Sequence, residues 1–267
     1  MSTSEQEEVL AAVKGFLASI SNKKPPFAAA LNFVLPDSYA ALSHPEGLIQ
    51  CKLGELISRL EEDISKIYES GAKSVEVSLF EPGPDVWVGG RFAAFWAGYS
   101  FKVDGEEKKR GVNAFTLFKR EDGWKIGGLA DTQWEASEAP PQFVNEVTSE
   151  MMAPNLDLCV LLNDEKWDQV IELMLPGGGA TYQRFPHTLL TPYWPEFFSK
   201  MREMLEKSSG YVEQKLMDWD GRSAGELGLV WTPFTVTVDG DLKVVGYNIF
   251  TMLKRDGKWL ISGCQDG

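Results

Sequence analysis

The chain has 267 residues, a formal charge of −13 and 43% apolar residues. An acidic balance without clustered Lys and Arg argues against binding a phosphate backbone, and no apolar run is long enough to span a bilayer, so neither nucleic acid nor membrane is an expected partner. Cys51, Cys159 and Cys264 are odd in number and fall at unrelated places, which favours free thiols in a reducing, cytoplasmic setting over a disulfide framework.

Taken in chain order, Ser4 with Glu7 has the pattern of a capping box, and Val9, Leu10, Val13, Phe16, Leu17 and Ile20 follow at helical spacing. Pro25 and Pro26 restart the chain into a short helix ending near Leu35-Pro36, and Ser38 to Leu42 reads as a short strand. Leu53, Leu56, Ile57, Leu60, Ile64 and Ile67 mark a longer helix that stops before Gly71. Strands follow over roughly 73–80, 90–103, 107–119 and 124–132, with Asp104-Gly105 as the tight turn between two of them. Glu135 to Gln142, rich in Glu, Ala and Pro, reads as a linker. Beyond it, Phe143 to Leu162 reads as a helix interrupted at Pro154, Glu165 to Leu175 as a second helix, and Phe197 to Leu205 as a third. Pro176-Gly177-Gly178-Gly179 lacks the Lys-Ser/Thr ending of a phosphate loop and reads as a turn.

The two halves repeat one pattern. Phe92 to Asp131 lies over Leu227 to Asp266 without a gap, at a constant offset of 135 (231 − 96). Trp96 meets Trp231, Asp104-Gly105 meets Asp239-Gly240, Gly111 meets Gly246, Asn113 meets Asn248, Trp124 meets Trp259 and Asp131 meets Asp266. A repeat of this length is a whole domain rather than a solenoid unit, which predicts domains over residues 1–135 and 143–267. Ala97-Gly98 in one copy and Thr232-Pro233 in the other place helix- and ladder-breaking residues inside a long strand, so the sheet is expected to bend there. In the next strand neither alternating set is polar, which predicts burial on both faces.

Three helices followed by a bent antiparallel sheet resemble the nuclear transport factor two-like superfamily. So do the closing strands, Phe115 to Ile126 with its Lys-Arg-x-Asp-Gly-Trp-Lys-Ile and Phe250 to Ile261 with its Lys-Arg-Asp-Gly-Lys-Trp-Leu-Ile. Within that superfamily the chain is most similar to the SnoaL-like and lumazine-binding branches. The resemblance implies an α+β fold of two cone-shaped domains, each with three helices on a strongly curved sheet enclosing an apolar pocket, joined as an intramolecular pseudo-dimer in a monomeric chain. It also implies a small-molecule ligand and cofactor-free isomerase, cyclase or dehydratase chemistry. The competing expectation is a noncatalytic binding or assembly module whose core is filled by its own side chains.

Candidate chemistry is limited to acids and bases in an apolar pocket. There are two histidines, no cysteine pair with ligand spacing and no Gly-x-Ser-x-Gly elbow, so neither metal nor covalent acyl chemistry is expected. Asp131 and Asp266 are placed at the end of the closing strand, either facing solvent or entering the pocket. His44 and His187, each beside a proline, are surface residues or pocket bases at the mouth of the cone. Tyr99, Tyr182, Asn113 and Asn248 could direct polar groups at a ligand carbonyl, although an Asn within an apolar strand could equally satisfy a structural hydrogen bond. Asp131 or His44 would carry the proton, and Asn113 or Tyr99 would polarise the carbonyl.

Overall fold

The computed structural model describes residues 3–183, 189–207 and 210–267. The chain divides into two compact units, Met1–Gln142 and Phe143–Gly267, with the division at the end of the Glu135 to Gln142 stretch. Both units are α+β, with helices packed on a bent, mostly antiparallel sheet. No helix among the described residues is long and apolar enough to cross a membrane.

In the first unit, α1 (Thr3–Ile20) is followed by a 3-10 helix (Ala28–Phe33), β1 (Tyr39–His44), β2 (Gly47–Lys52), α2 (Leu53–Glu69), β3 (Val75–Gly89), β4 (Phe92–Val103), β5 (Glu106–Arg120) and β6 (Gly123–Glu135). Ser4 sits inside the first turn of α1 rather than ahead of it as a cap. The strand order is β2-β1-β6-β5-β4-β3, and only the β1–β6 pair is parallel. Val9, Val13, Phe16, Leu17 and Ile20 of α1 join Leu53, Leu56, Ile57 and Ile64 of α2 in one core against Phe95, Phe115 and Ile126 of the sheet. The opposite set on the same strands is buried as well: Trp96 is 2% exposed, and Val112, Ala114, Thr116 and Phe118 are at most 1% exposed, so the expected two-sided burial is present.

The sheet bends where glycine was singled out. The β3–β4 register breaks between Phe80, the partner of Gly98, and Asp85, the partner of Trp96, so Glu81 to Pro84 bulge out of the ladder opposite Ala97. A Cβ on Gly98 would collide with the Glu81 carbonyl, which explains why a glycine sits at that position.

In the second unit, β7 (Phe143–Val144) precedes α3 (Ser149–Asn163), α4 (Trp167–Glu172), β8 (Met174–Tyr182), α5 (Trp194–Glu206), β9 (Val212–Leu216), β10 (Asp220–Ala224), β11 (Leu227–Val238), β12 (Asp241–Arg255) and β13 (Lys258–Asp266). The path β7-β10-β11-β12-β13-β8 has its one parallel pair at β13–β8, as β6–β1 is in the first unit. β10 pairs with Leu227–Trp231 and β9 with Phe234–Val238, so the break in the edge falls at Thr232-Pro233, the counterpart of the first unit's bulge. A separate core forms around Met151, Met174, Trp194, Phe198 and Phe250.

Two local expectations fail for definable reasons. α3 runs through Pro154 without interruption: it is capped by Thr148, whose hydroxyl accepts from the Met151 N–H at 3.2 Å, and the missing proline N–H costs only one bond near the start of the helix. Pro176 to Gly179 is not a turn but lies within β8, where the β13–β8 register shifts between Ile261 and Gly263. A Cβ on Gly178 would strike the Ser262 carbonyl, so the glycine run permits a close, bulged pairing of two strands. The hairpin turns are as expected. Asp104 and Gly105 have φ of 51° and 80°, and Asp239 and Gly240 have 51° and 85°.

Candidate functional site

A cavity of about 810 Å³ lies between the helices and the concave face of the first sheet. Its walls are apolar, with Phe16, Leu42, Leu56, Ile64, Phe101 and Phe115 among them, and Arg59, Lys66, Glu62 and Asp63 of α2 add charge to the lining. This volume is within the range of small-molecule sites. His44, Tyr99, Asn113, Asp131 and Gln133 all line it, so four of the sequence candidates converge on one wall.

Strand register explains the convergence. Asp131 on β6 lies beside Leu42 on the parallel β1 and opposite Asn113 on β5. His44 is two residues beyond Leu42 and therefore on the same face. Tyr99 on β4 is opposite Gly111, and Gly111 is opposite Gln133. With no side chain at Gly111, the Tyr99 ring lies across β5 and its hydroxyl reaches β6. A Cβ on Gly111 would overlap that ring and stand 2.5 Å from the Thr132 carbonyl oxygen.

Asp131 is 5% exposed and accepts from both sides. His44 Nε2 is 3.2 Å from Oδ1, and the Tyr99 hydroxyl donates to Oδ2 at 3.1 Å. The Tyr99 hydroxyl also lies 3.4 Å from Gln133 Oε1. Burial, then the charge of Asp131, then the hydrogen bond to it, push the Tyr99 phenol well above its usual range, so it stays protonated as a donor. A carboxylate only accepts, so the hydrogen between His44 and Asp131 is on Nε2, the tautomer that in a neutral ring carries its lone pair on Nδ1. The Asn113 side chain makes no hydrogen bond to any described residue, which leaves its amide available to a ligand.

Three sequence placements change. Asp131 is not at a strand end, because β6 continues to Glu135, and its side chain points inward. Tyr99 directs its hydroxyl at Asp131, across β5 in the same wall. His44 ends β1 rather than following it. Gln133 was missed, as was the pairing of Lys109 with Glu46 at 3.2 Å, both of which line the cavity. A signal for this wall was present in the repeat: Tyr99 faces Gly111 where the other copy has Phe234 facing Gly246, so the copies share the packing and differ by one hydroxyl.

The corresponding region of the second unit is nearly closed. Tyr182, Asn248 and Asp266 line a cavity of only about 110 Å³. Tyr182 stands beside Asp266 as Leu42 stands beside Asp131. Its ring meets Phe197 at 5.5 Å, Phe197 meets Phe198 at 5.2 Å, and Trp194 stacks on Phe198 at 6.0 Å. At the same helical positions α2 carries the smaller Leu56, Ile57 and Leu53. His187 lies outside the described residues. Among the described residues no group of three or more His, Cys, Asp or Glu could hold a metal ion. The three cysteines are free and buried, and burial pushes the Cys159 thiol up to about 12.

No protein-family model and no curated protein sequence matches the chain. Solved structures do. A nuclear transport factor 2 (NTF2-like) superfamily protein from Salmonella enterica serovar Typhimurium is similar over 51% of this chain and 94% of its own, at 15% identity and a TM-score of 0.39. An NTF2-like protein of unknown function from Pseudomonas putida is similar over 45% of this chain and 84% of its own, at 12% identity and a TM-score of 0.40. A dehydratase candidate of the NTF2-like family from Streptomyces avermitilis is similar over 48% of this chain and 95% of its own, at 15% identity and a TM-score of 0.38.

Proposed function

We propose that the chain is a tandem pair of NTF2-like domains of the SnoaL-like and lumazine-binding type, and that the first copy binds a small apolar, carbonyl-bearing molecule and moves a proton on it without a cofactor. The observation that carries this reading is the Tyr99–Asp131–His44 chain of contacts in the wall of an apolar cavity of about 810 Å³. His44 Nδ1 acts as base, taking a proton from the carbon beside the carbonyl. Asp131 fixes the ring and stabilises the imidazolium that forms, and Tyr99 fixes Asp131. The Asn113 amide donates to the carbonyl oxygen as it gains negative charge, and in a ketone with a β,γ carbon–carbon double bond the resulting dienolate takes the proton back from His44 at the γ-carbon, completing an isomerisation. Polycyclic, polyketide- or terpenoid-like ketones fit the size and polarity of the walls.

A second reading applies to the other copy. The aromatic packing of Tyr182, Trp194, Phe197 and Phe198 favours a largely side-chain-filled domain that does not take the same ligand.

The test is α-proton exchange of 2-tetralone in D₂O, followed by proton NMR. The wild-type chain should accelerate exchange. His44→Gln should lower that rate by about 10²- to 10⁴-fold, the usual worth of a general base, and Asp131→Asn should lower it without loss of thermal stability. Unaltered exchange in both variants removes the catalytic assignment. Saturable binding of the ketone without accelerated exchange would leave a binding domain.

A further inference from the structure

The small cavity of the second unit has a different polarity from the large one, and we propose that it binds a small alkylammonium ion. Asn248 is 2% exposed and its Oδ1 has no hydrogen-bond partner, an acceptor buried at a cost unless something donates to it. It lines the 110 Å³ cavity together with Asp266, its cross-strand partner in the β12–β13 ladder. Paired residues on one face of adjacent antiparallel strands have Cβ atoms about 4.5–5.5 Å apart, so one ammonium group can donate to the Asn248 oxygen and the Asp266 carboxylate together.

The remaining walls suit a cation's alkyl body. Tyr182, Trp194, Phe197 and Phe250 supply ring surface, and an ammonium against aromatic faces is attracted by their quadrupoles. Lys200, the one cationic residue among the described residues of the lining, pairs with Glu196 at 2.8 Å. In the first unit the matching aspartate, Asp131, accepts from the Tyr99 hydroxyl, and the residue in the place of Tyr99 here is Phe234, which has no hydroxyl. The chain's charge of −13 raises the local concentration of cations. A cavity of about 150 Å³ holds benzene, so one of 110 Å³ takes a branched amine of four or five heavy atoms rather than a ring system. This site is independent of the function proposed for the first unit.

Calorimetric titration of the full chain with isobutylammonium chloride at neutral pH tests it, with isobutanol as the uncharged counterpart. One saturable site per chain is expected, with isobutanol at least tenfold weaker. Asp266→Asn, nearly isosteric, should weaken the amine at least tenfold, and Asn248→Leu should abolish binding. Asp131→Asn should leave it unchanged. The proposal is overturned by an absence of saturable heat, which would mean that water alone fills the cavity, by equal binding of the alcohol, or by loss of binding in Asp131→Asn instead of Asp266→Asn.

Discussion

Asp131 accepts a hydrogen bond on each carboxylate oxygen, from His44 and from Tyr99, so its position is fixed from two other strands, β1 and β4. In the reaction proposed for this site His44 carries the proton, with Asp131 and Tyr99 as its supports. The buried phenol also has a consequence for stability. In the unfolded chain Tyr99 titrates near the ordinary value of about 10. In the folded chain burial and Asp131 hold its pKa well above that. Above pH 10 the unfolded chain has lost a proton that the folded chain keeps, so unfolding releases a proton and stability falls as pH rises. The contribution is intact below pH 10 and is lost progressively above it, by at most about 1.4 kcal/mol per pH unit for this one group. Urea unfolding midpoints of Tyr99→Phe should therefore decline less between pH 9 and pH 11 than those of the wild type. Parallel declines would mean that the phenol titrates normally. His44, Tyr99, Asn113 and Asp131 could each be nominated from residue type and strand position, but their order of contact could not, because it depends on which strands are neighbours.

At the level of the strand, Gly111 is the element that assembles the site. It lets a side chain from β4 cross β5 to reach β6, and Gly246 does the same for Phe234, whose ring a Cβ on Gly246 would approach to 2.9 Å. Gly111→Ala should cost about 1–3 kcal/mol, the usual range for overpacking, and should also displace the Tyr99 hydroxyl from Asp131. Gly246→Ala should cost a similar amount while leaving any activity of the first unit unchanged. Urea unfolding measures the first effect and the tetralone exchange the second; a neutral Gly111→Ala would show that the ring has room to shift. Elements with strong periodicity, such as α1 and α2, and turns with Asp-Gly, such as Asp104-Gly105, were legible in the sequence because local sterics decide them. Pro154 and Gly177 to Gly179 were misread because non-local partners decide them: a cap at Thr148 for one, the Ser262 carbonyl for the other. Asp104 was legible as a turn former, yet its carboxylate also accepts the Lys73 and Ser74 N–H groups at 2.7 and 2.8 Å, holding it below the usual carboxylate range and tying β3 to the turn.

Across the whole chain, the two halves repeat a sequence pattern and each has helices on a mostly antiparallel sheet, while the residues lining their cavities differ. The repeat was visible because turn, core and bend positions are shared. The difference in cavity size was not, since it arises in the less similar parts ahead of the repeated strands, where Leu42 of β1 and Leu56 of α2 stand in places held by Tyr182 of β8 and Phe197 of α5. Those two substitutions alone set an aromatic pair, at 5.5 Å between ring centroids, directly beside the strand-borne aspartate. Transferring the pair tests whether it accounts for the closed cavity. Titrated with the neutral dye N-phenyl-1-naphthylamine, the wild-type chain should show one strong site. The double variant Leu42→Tyr with Leu56→Phe should bind the dye at least tenfold more weakly, a loss of about 1.4 kcal/mol or more, because the rings occupy the space beside Asp131. Its melting temperature should hold or rise, since filling an existing void adds contacts without displacing neighbours. Two equal dye sites in the wild type, or unchanged affinity in the double variant, would mean that the two cavities differ for some reason other than these side chains.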